Sequence, residues 1–273
     1  MADINLGVGG ANSASGGYEI DNSLKFEADN TEYLTRTPSS ASNEKTWTWS
    51  GWFKTTEIDG LHTIFAGGNA SEGNSNNYGT FNLRVDNGQM TLNTKTVALR
   101  NTTQIFRDTA AWYHLVVAMD TTQSTANDRI KIYINGSQIT DFATTNNPVQ
   151  NEDMGVNSTE PQTIGKRSNA DDRYFSGYMA EVQLVDGTAL TPTSFGETDN
   201  DSGIWKPKQY TGSYGTNGYY LKFDDSSSLG ADSSGNGNNF TLNNITAADQ
   251  ATDTCTNNFC TLNPLINPKY AYS

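Results

Sequence analysis

Two neighbouring stretches carry the clearest pattern of hydrophobic and polar positions in the chain. Residues 111–119 (A-W-Y-H-L-V-V-A-M) are largely apolar on both alternating faces, and residues 130–134 (I-K-I-Y-I) alternate strictly. Successive side chains of a strand point to opposite faces, so the first stretch predicts a central strand and the second a half-buried one. Asn135-Gly136 follows, a pair suited to a type I′ turn because both central residues need positive φ. The rest of the sheet structure is expected to surround this pair.

Further strands are predicted at residues 24–26, 33–35, 46–56 and 61–67, and a hairpin at residues 81–94. Trp47 and Trp49 share one face of their strand. They fit a stacking platform for sugars or a core strand, and the core strand is the favoured interpretation. Asp86 offers a carboxylate to a calcium ion, but Asp86-Asn87-Gly88 is already explained as the turn of the hairpin.

Composition and charge narrow the class of protein. The 273 residues are rich in Gly, Asn, Ser and Thr and only 17% charged, which favours a turn-rich, all-β sandwich or barrel. The net charge of −13 disfavours nucleic acid and anionic membranes as partners. No stretch reaches the roughly 18–20 apolar residues of a membrane-spanning helix. The N-terminus shows neither a basic nor an apolar region of a signal peptide, so we expect no export by that route.

Three segments are expected along the chain: a Gly/Ser-rich extended arm (1–21), a β-sandwich (22–197) and a turn-rich C-terminal extension (198–273). Such an arm is flexible on its own, so we expect a neighbouring subunit to hold it. The extension contains one predicted strand, 218–223 (G-Y-Y-L-K-F), whose partner is not obvious. That strand either completes its own sandwich or pairs with the sheet edge of a neighbouring subunit.

Several motifs resemble one known family when they are taken together and in order. They are S-L-K-F-E-A-D-N-T-E-Y-L, W-Y-H-L-V-V-A-M-D, I-K-I-Y-I-N-G, I-G-K-R and Y-F-S-G-Y-M-A-E-V-Q-L-V-D-G-T-A-L. They resemble the laminin-G-like, concanavalin A-like lectin sandwich over residues 22–197. The resemblance implies an antiparallel β-sandwich (jelly roll). One departure is Ala180, where the family more often has an acidic residue before Glu181.

The C-terminal part resembles a form found in virion proteins of marine bacteriophages. The residues concerned are G-I-W-K-P-K-Q-Y-T-G-S-Y-G-T-N-G-Y-Y-L-K-F, D-S-S-G-N-G-N-N-F-T-L-N-N-I and T-N-N-F-C-T-L-N-P-L. This resemblance implies a non-enzymatic virion structural protein, at a tail fibre or tip or as a head decoration. We expect a homo-oligomer, such as a trimer, on the virion surface, assembled in the host cytoplasm with other virion proteins. A free-standing carbohydrate-binding lectin module is the alternative, and adhesion to host-surface glycans is compatible with both.

A glycan hydrolase is the third and least favoured interpretation. Glucanases with this sandwich carry Glu-x-Asp followed by a further Glu, because retaining hydrolysis needs two carboxylates about 5 Å apart. The chain has Glu19-Ile-Asp21 and Glu57-Ile-Asp59, and neither is followed by the third acid. We therefore assign no catalytic residue.

Cofactor and metal candidates are few. His114 lies in a strand that is predicted to be buried and is interpreted as a core histidine. His62 is the only other histidine of the sequence, so no His-based catalytic triad or zinc site is supported. Cys255 and Cys260 fit either a local disulfide or two free thiols, and cytoplasmic assembly favours the thiols.

Calcium, which is the common cofactor of the family, has oxygen ligands available in three acidic loops. They are Asp120 to Asp128, Asp171-Asp172 and Asp224 to Asp232. Residues 232–239 resemble a calcium loop but lack its final Glu, so turns are the favoured interpretation there. We assign no metal ligand. Tyr78, Tyr174 and Trp205 are the candidate exposed aromatics for sugar stacking, without any assigned sugar contact.

Overall fold

The computed structural model describes residues 17–68, 79–168 and 170–257. Predictions for residues 1–16, Tyr78 and Cys260 lie outside these ranges. The strands are β1 Ser23–Phe26, β2 Tyr33–Arg36, β3 Thr46–Thr55, β4 Leu61–Gly68, β5 Thr80–Asp86, β6 Gln89–Asn93, β7 Ala98–Ile105, β8 Tyr113–Asp120, β9 Ile130–Ile134, β10 Ser137–Gln138, β11 Phe142–Thr145, β12 Gln162–Ile164, β13 Gly177–Asp186, β14 Gly196–Thr198, β15 Trp205–Pro207, β16 Tyr219–Leu221, β17 Thr241–Asn243 and β18 Gln250–Ala251. Short 3₁₀ helices span Ala28–Asn30, Ala126–Asp128, Pro192–Ser194 and Ala247–Asp249. No helix within the described ranges is long and apolar enough to cross a membrane.

Two large antiparallel sheets form the molecule. Sheet A has the strand order β10-β9-β8-β3-β13-β1-β18, with β16 also paired to β13. Sheet B has the order β11-β7-β6-β5-β4-β12-β2-β17, and β14 and β15 form a separate small sheet. The predicted all-β, antiparallel sandwich is confirmed. The strand predicted to be central, β8, is hydrogen-bonded on both sides, to β3 and to β9.

The core lies between the two sheets and is rich in aromatic rings. Trp47 and Trp49 on β3 are fully buried, so the interpretation of this stretch as a core strand is confirmed. Each indole crosses to sheet B, where Trp47 meets Phe81 at 4.9 Å between ring centroids and Trp49 stacks on Phe65 at 5.9 Å. Burial of such large apolar surfaces is the main favourable contribution to folding.

Both predicted tight turns are present with the backbone conformation that they require. Asn87 and Gly88 have φ of 47° and 78°, and Asn135 and Gly136 have φ of 48° and 81°. The Asn135 side chain also accepts a hydrogen bond from the backbone N–H of His114 at 2.8 Å. These turns fix the register of the β5–β6 and β9–β10 hairpins.

The C-terminal residues contribute strands to both sheets. Where the sequence predicts one strand, the structure has four, β15 to β18, each only two or three residues long. The prediction that residues 218–223 complete their own sandwich is confirmed, because β16 pairs with β13 through Val182–Leu184. Pairing with a neighbouring subunit stays a prediction. That stretch of β13 is open to β16 because β1 pairs only with its first residues, Gly177 to Met179.

The two ends of the described chain meet on sheet A. The backbone N–H of Ile20 donates to the Thr256 hydroxyl at 2.9 Å, and the Thr254 hydroxyl donates to the carbonyl of Ile20 at 2.7 Å. Ile20 is itself buried. The end of the predicted arm is therefore docked on its own subunit.

Candidate functional site

A polar row runs across the outer face of sheet B. On β5, Phe81, Leu83 and Val85 point into the core, which directs Asn82 and Arg84 outwards. Residues directly opposite each other in antiparallel strands share a face. Asn82 therefore adjoins Asn93 of β6, and Arg84 adjoins Thr91 of β6 and Thr63 of β4, as the pairing register shows.

Side-chain atoms in this row are buried without a hydrogen-bond partner within the chain that the structure describes. They are Thr63 Oγ1, Thr80 Oγ1, Asn82 Oδ1, Arg84 Nε, Thr91 Oγ1, Asn93 Nδ2 and Asn101 Oδ1. A buried donor or acceptor left unsatisfied costs about 1–3 kcal/mol. Most buried polar groups in proteins are paired, so this row offers hydrogen-bonding atoms that the described chain itself does not use.

The row opens into a cavity of about 330 Å³. Its polar lining consists of side chains from β5 and β6, the β6–β7 connection and the loop that follows β12; the residues are Thr80, Asn82, Arg84, Asn93, Thr94, Lys95, Thr96, Arg167 and Arg173. The described part of this lining contains neither an aromatic nor an acidic side chain. The described side chains therefore offer a ligand hydrogen bonds and positive charge.

The loop between β12 and β13 brings two arginines to the cavity. The loop folds back at Gly165, with φ of 91°, and the backbone N–H of Phe175 closes it by donating to the Gly165 carbonyl at 2.8 Å. The backbone N–H of Thr63 donates to the Arg173 carbonyl at 2.9 Å, which fixes Arg173 beside β4. Arg167 reaches the same cavity from the start of the loop.

Two of the three arginines at the cavity have acidic partners outside it. Arg84 Nη2 lies 3.1 Å from Asp86 Oδ2, and Arg167 Nη2 lies 2.8 Å from Asp172 Oδ2. The pKa of Arg173 is lowered from its usual value, first by burial and then by the charges of Arg84 and Arg167. The three guanidinium groups thus repel one another around a single opening.

The outer face of sheet A is different, because the chain itself covers it. His114 is stacked on Trp52 at 4.8 Å and on Trp205 at 6.0 Å between ring centroids. The Trp205 indole N–H donates to His114 Nδ1 at 3.0 Å, so the ring proton is on Nε2, which donates to the Ser50 hydroxyl at 2.9 Å. Burial lowers the pKa of His114 to about 3. The interpretation of His114 as a satisfied core histidine is confirmed.

A buried carboxylate lies further along this face. Glu181 occupies a β-bulge of β13, with φ of 52°, where the pairing with β3 shifts between Ala180 and Gln183. Both Tyr18 and Tyr220 donate their hydroxyls to it, at 2.9 Å and 2.6 Å. Burial raises the pKa of Glu181 to about 7. The neighbouring Ala180 is fully buried in a cluster with Trp52, so its small size suits the position.

The two candidate stacking aromatics that the structure describes, Tyr174 and Trp205, are not free platforms. Trp205 is half-buried and its indole is hydrogen-bonded to His114, so the prediction that it is exposed is wrong. Tyr174 is also half-buried and lies beside Tyr33, at 6.2 Å between ring centroids. Neither residue lines the cavity of sheet B.

The acidic loops are organised by hydrogen bonds of their own. The Asp232 carboxylate accepts from the backbone N–H groups of Tyr220, Ser234 and Asn238, which confirms turns at residues 232–239. Asp120 accepts from Thr46, Thr122 and Gln123. Within residues 17–68, 79–168 and 170–257, no group of three or more His, Cys, Asp or Glu is arranged to hold a metal ion. Calcium binding stays a prediction.

The remaining candidates lie apart from the cavity. The acids Glu19, Asp21, Glu57 and Asp59 are all exposed. His62 is buried, with ring nitrogens 2.8 Å and 3.1 Å from the backbone carbonyls of Asp59 and Tyr174. Burial raises the pKa of the Cys255 thiol. The absence of an enzymatic role and the state of the thiols stay predictions.

Comparison with known proteins identifies the family. Residues 28–194 match the Concanavalin A-like lectin/glucanases superfamily, and because this is more than half of the chain, the chain belongs to that family. The predicted resemblance is confirmed to this extent. A comparison with curated proteins finds no match.

Several solved structures are similar to the chain at low sequence identity. A candidate carbohydrate-binding protein from Bacteroides ovatus is 18% identical with a TM-score of 0.51, and the similarity covers 86% of this chain and 60% of that one. The chain thus spans less than two thirds of that relative. A heptameric SAP-like pentraxin from Limulus polyphemus is 17% identical, with a TM-score of 0.44 and coverage of 63% and 78%. Domain 4 of a GH43 arabinanase from Geobacillus stearothermophilus, solved with arabinotriose, is 23% identical, with a TM-score of 0.39 and coverage of 56% and 65%.

Proposed function

We propose that the protein is a carbohydrate-binding module and that it binds glycan in the cavity on the outer face of sheet B. The observation that carries this proposal is the row of buried, unpartnered polar side chains at the cavity. Each sugar hydroxyl both donates and accepts hydrogen bonds, so a saccharide can satisfy amide and hydroxyl groups that the protein leaves unpaired. Asn82 and Asn93, which are adjacent across β5 and β6, offer such a pair.

The family and the fold support this proposal. Lectins form part of the family to which the chain belongs, and the Bacteroides ovatus relative is a candidate carbohydrate-binding protein. A cavity of about 330 Å³ is at the lower end of the range of small-molecule sites, and it fits one or two sugar units of a longer chain. Since the described lining has no aromatic ring, recognition rests on hydrogen bonds rather than on stacking.

Glycan binding is tested on a panel of polysaccharides by isothermal titration calorimetry. We expect the double variant Asn82→Ala/Asn93→Ala to weaken binding of any positive glycan by at least tenfold. The matched control is Asn243→Ala, on β17 at the far edge of the same sheet, which should bind as the native protein does. Equal loss in both variants, or no loss in either, places the glycan outside this cavity and contradicts the proposal.

A virion role is a second proposal, and it is compatible with the first. The similarity of residues 203–265 to phage virion proteins supports it, and glycan binding at a fibre tip or head decoration would serve adhesion to a host. Light scattering on the full chain and on a variant without residues 1–16 tests assembly. A trimer or larger oligomer that dissociates on truncation supports a virion role, whereas two stable monomers argue for a free-standing lectin module.

A further inference from the structure

The charge at the cavity of sheet B is opposite to that of the protein. The whole chain has a net charge of −13, yet three arginines and one lysine line this single opening. No acidic residue belongs to its described lining. Asp86 and Asp172 each engage one terminal nitrogen of one arginine. These ion pairs leave Arg173 without an acidic partner among the described residues.

The donors that remain point to an anion. Arg84 Nε and Arg167 Nε are buried and have no hydrogen-bond partner within the described chain. The Arg173 side chain has neither a hydrogen bond nor an ion pair with a described residue. A guanidinium group presents several donors in one plane, a geometry that matches the oxygens of a carboxylate or a sulfate.

A neutral ligand would leave the positive charges of these arginines uncompensated. Like charges in one partly buried cavity repel each other, and the lowered pKa of Arg173 reflects that repulsion together with burial. A bound anion would relieve the repulsion and satisfy the unpaired donors. Asn82, only 4% exposed, and Thr80, only 1% exposed, line the same cavity, so hydroxyl recognition and charge recognition fall within reach of one ligand.

We propose that the cavity selects an acidic polysaccharide, one whose sugars carry carboxylates or sulfate esters, and that Arg173 contacts the anionic group. This inference rests on the proposed function, since it names the class of glycan for the same cavity. Arg84 and Arg167 support the contact through their positive charge, while Asn82 and Asn93 bind the sugar hydroxyls. The net charge of −13 opposes general attraction between the protein and a polyanion, so the affinity has to come from this local cluster of positive charge.

Calorimetry with dextran sulfate, polygalacturonate and a panel of neutral polysaccharides including dextran tests the inference. We expect at least one of the acidic polymers to bind, and which one binds distinguishes sulfate from carboxylate. Binding of the acidic polymer should weaken as the salt concentration is raised from 50 to 300 mM, because salt screens the interactions between charges. Neutral polymers should bind at least tenfold more weakly.

The variants are Arg173→Gln, Arg173→Lys and the matched control Arg107→Gln. Arg107 is exposed beyond the end of β7, whereas the cavity contacts the start of that strand at Ala98. We expect Arg173→Gln to weaken binding of the acidic polymer at least tenfold, Arg173→Lys to retain part of the affinity and Arg107→Gln to change it less than twofold. Thermal unfolding of each variant shows whether the fold is retained.

The outcomes separate the two proposals. If a neutral polysaccharide binds, depends on Asn82 and Asn93 and is indifferent to Arg173→Gln, glycan binding stands and acid selectivity is overturned. If acidic polymers bind the native protein and the folded Arg173→Gln variant equally, the assignment of Arg173 is overturned. If no polymer binds the native protein, both the function and the inference are overturned.

Discussion

The polar groups on the two outer faces of the sandwich differ in whether they have hydrogen-bond partners within the described chain. On sheet A, residues from the C-terminal part and the end of the arm lie over the strands, and the polar groups beneath have partners within the chain. His114, Glu181 and the Trp112 indole, which donates to Asp253 at 2.9 Å, are examples. On sheet B, outward side chains of β5 and β6 line a cavity, and several are buried without a partner among described residues.

This difference indicates that the outer face of sheet A stabilises the fold and that the outer face of sheet B is available to a ligand. Both sheets alternate inward and outward residues in the same way, so alternation alone does not separate them. What separates them, within the described residues, is whether the segments packed over the face supply hydrogen-bond partners for its polar groups. Substitutions on the covered face of sheet A should therefore change stability, and those in the cavity should change binding with little effect on stability.

The largest effect is expected for Trp52→Ala on the covered face. Trp52 packs with Ile20, Trp112 and Ala180 and stacks on His114. Truncating a buried tryptophan leaves a large cavity, so we expect a loss of about 3–5 kcal/mol in the free energy of unfolding, measured by urea denaturation. Ile204→Ala is the control, since Ile204 is exposed, and a change below about 0.5 kcal/mol is expected there. Similar losses in both variants would mean that the face is not packed as described.

The next effect concerns Glu181→Gln and depends on pH. The pKa of Glu181 is raised by burial to about 7, so the native protein loses stability as the pH rises from about 4.5 to 7. Glutamine cannot ionise, and the variant lacks this loss. We expect near parity at pH 4 and an advantage for the variant on the order of 2–3 kcal/mol at pH 8, from denaturation at each pH. A difference that is independent of pH would contradict the raised pKa.

His114→Phe tests the hydrogen bonds that His114 makes on the outer face of sheet A. Phenylalanine keeps the stacking but leaves the Trp205 indole and the Ser50 hydroxyl without their shared partner. We expect a loss of about 2 kcal/mol at pH 7.5. Burial lowers the pKa of His114 to about 3, so its contribution to native stability is complete above about pH 6.5 and declines as the pH falls towards 3. The free energy of unfolding of the variant should therefore fall less steeply than that of the native protein as the pH is lowered from 6.5 to 3. An unchanged pH dependence would contradict a neutral, buried His114 ring.

The smallest effect on stability is expected in the cavity of sheet B. Asn82→Leu removes an unpartnered buried amide, and we expect a change below about 1 kcal/mol in either direction, because no hydrogen bond within the described chain depends on the Asn82 Oδ1 atom. Glycan affinity should nevertheless fall at least tenfold by calorimetry. Asn243→Leu serves as the control for both readouts. A loss above about 2 kcal/mol would show that Asn82 supports the fold and would weaken the contrast between the faces.

Much of the fold follows from local patterns. The alternation in 130–134, the apolar run in β8 and the turns at Asn87-Gly88 and Asn135-Gly136 each act over a few residues, so the sequence predicts them directly. The buried tryptophans of β3 follow from the same alternation. Part of the site could also be predicted from the sequence. A two-residue turn pairs Asp86 with Gln89, and this register places Asn82 opposite Asn93.

The rest of the site depends on contacts between distant segments. Arg167 and Arg173 reach the cavity from a loop some 80 residues further along the chain than Arg84, and no local pattern indicates that approach. The short strands β15 to β18 have too few residues to show alternation. Trp205 appeared exposed because its partner, His114, is equally distant in sequence.

The meeting of Ile20 with Thr254 and Thr256 has a consequence for rearranging the chain. In a variant trimmed to residues 17–257, the two ends lie close together at these hydrogen bonds, so a short linker between them should close the backbone into a ring without disturbing either sheet. New ends could then be opened at the exposed residues 225–227, away from the strands that line the cavity. Such a circular permutant would keep the cavity of sheet B on the side opposite to the original junction, so the junction could carry a fusion partner while the cavity stays unobstructed.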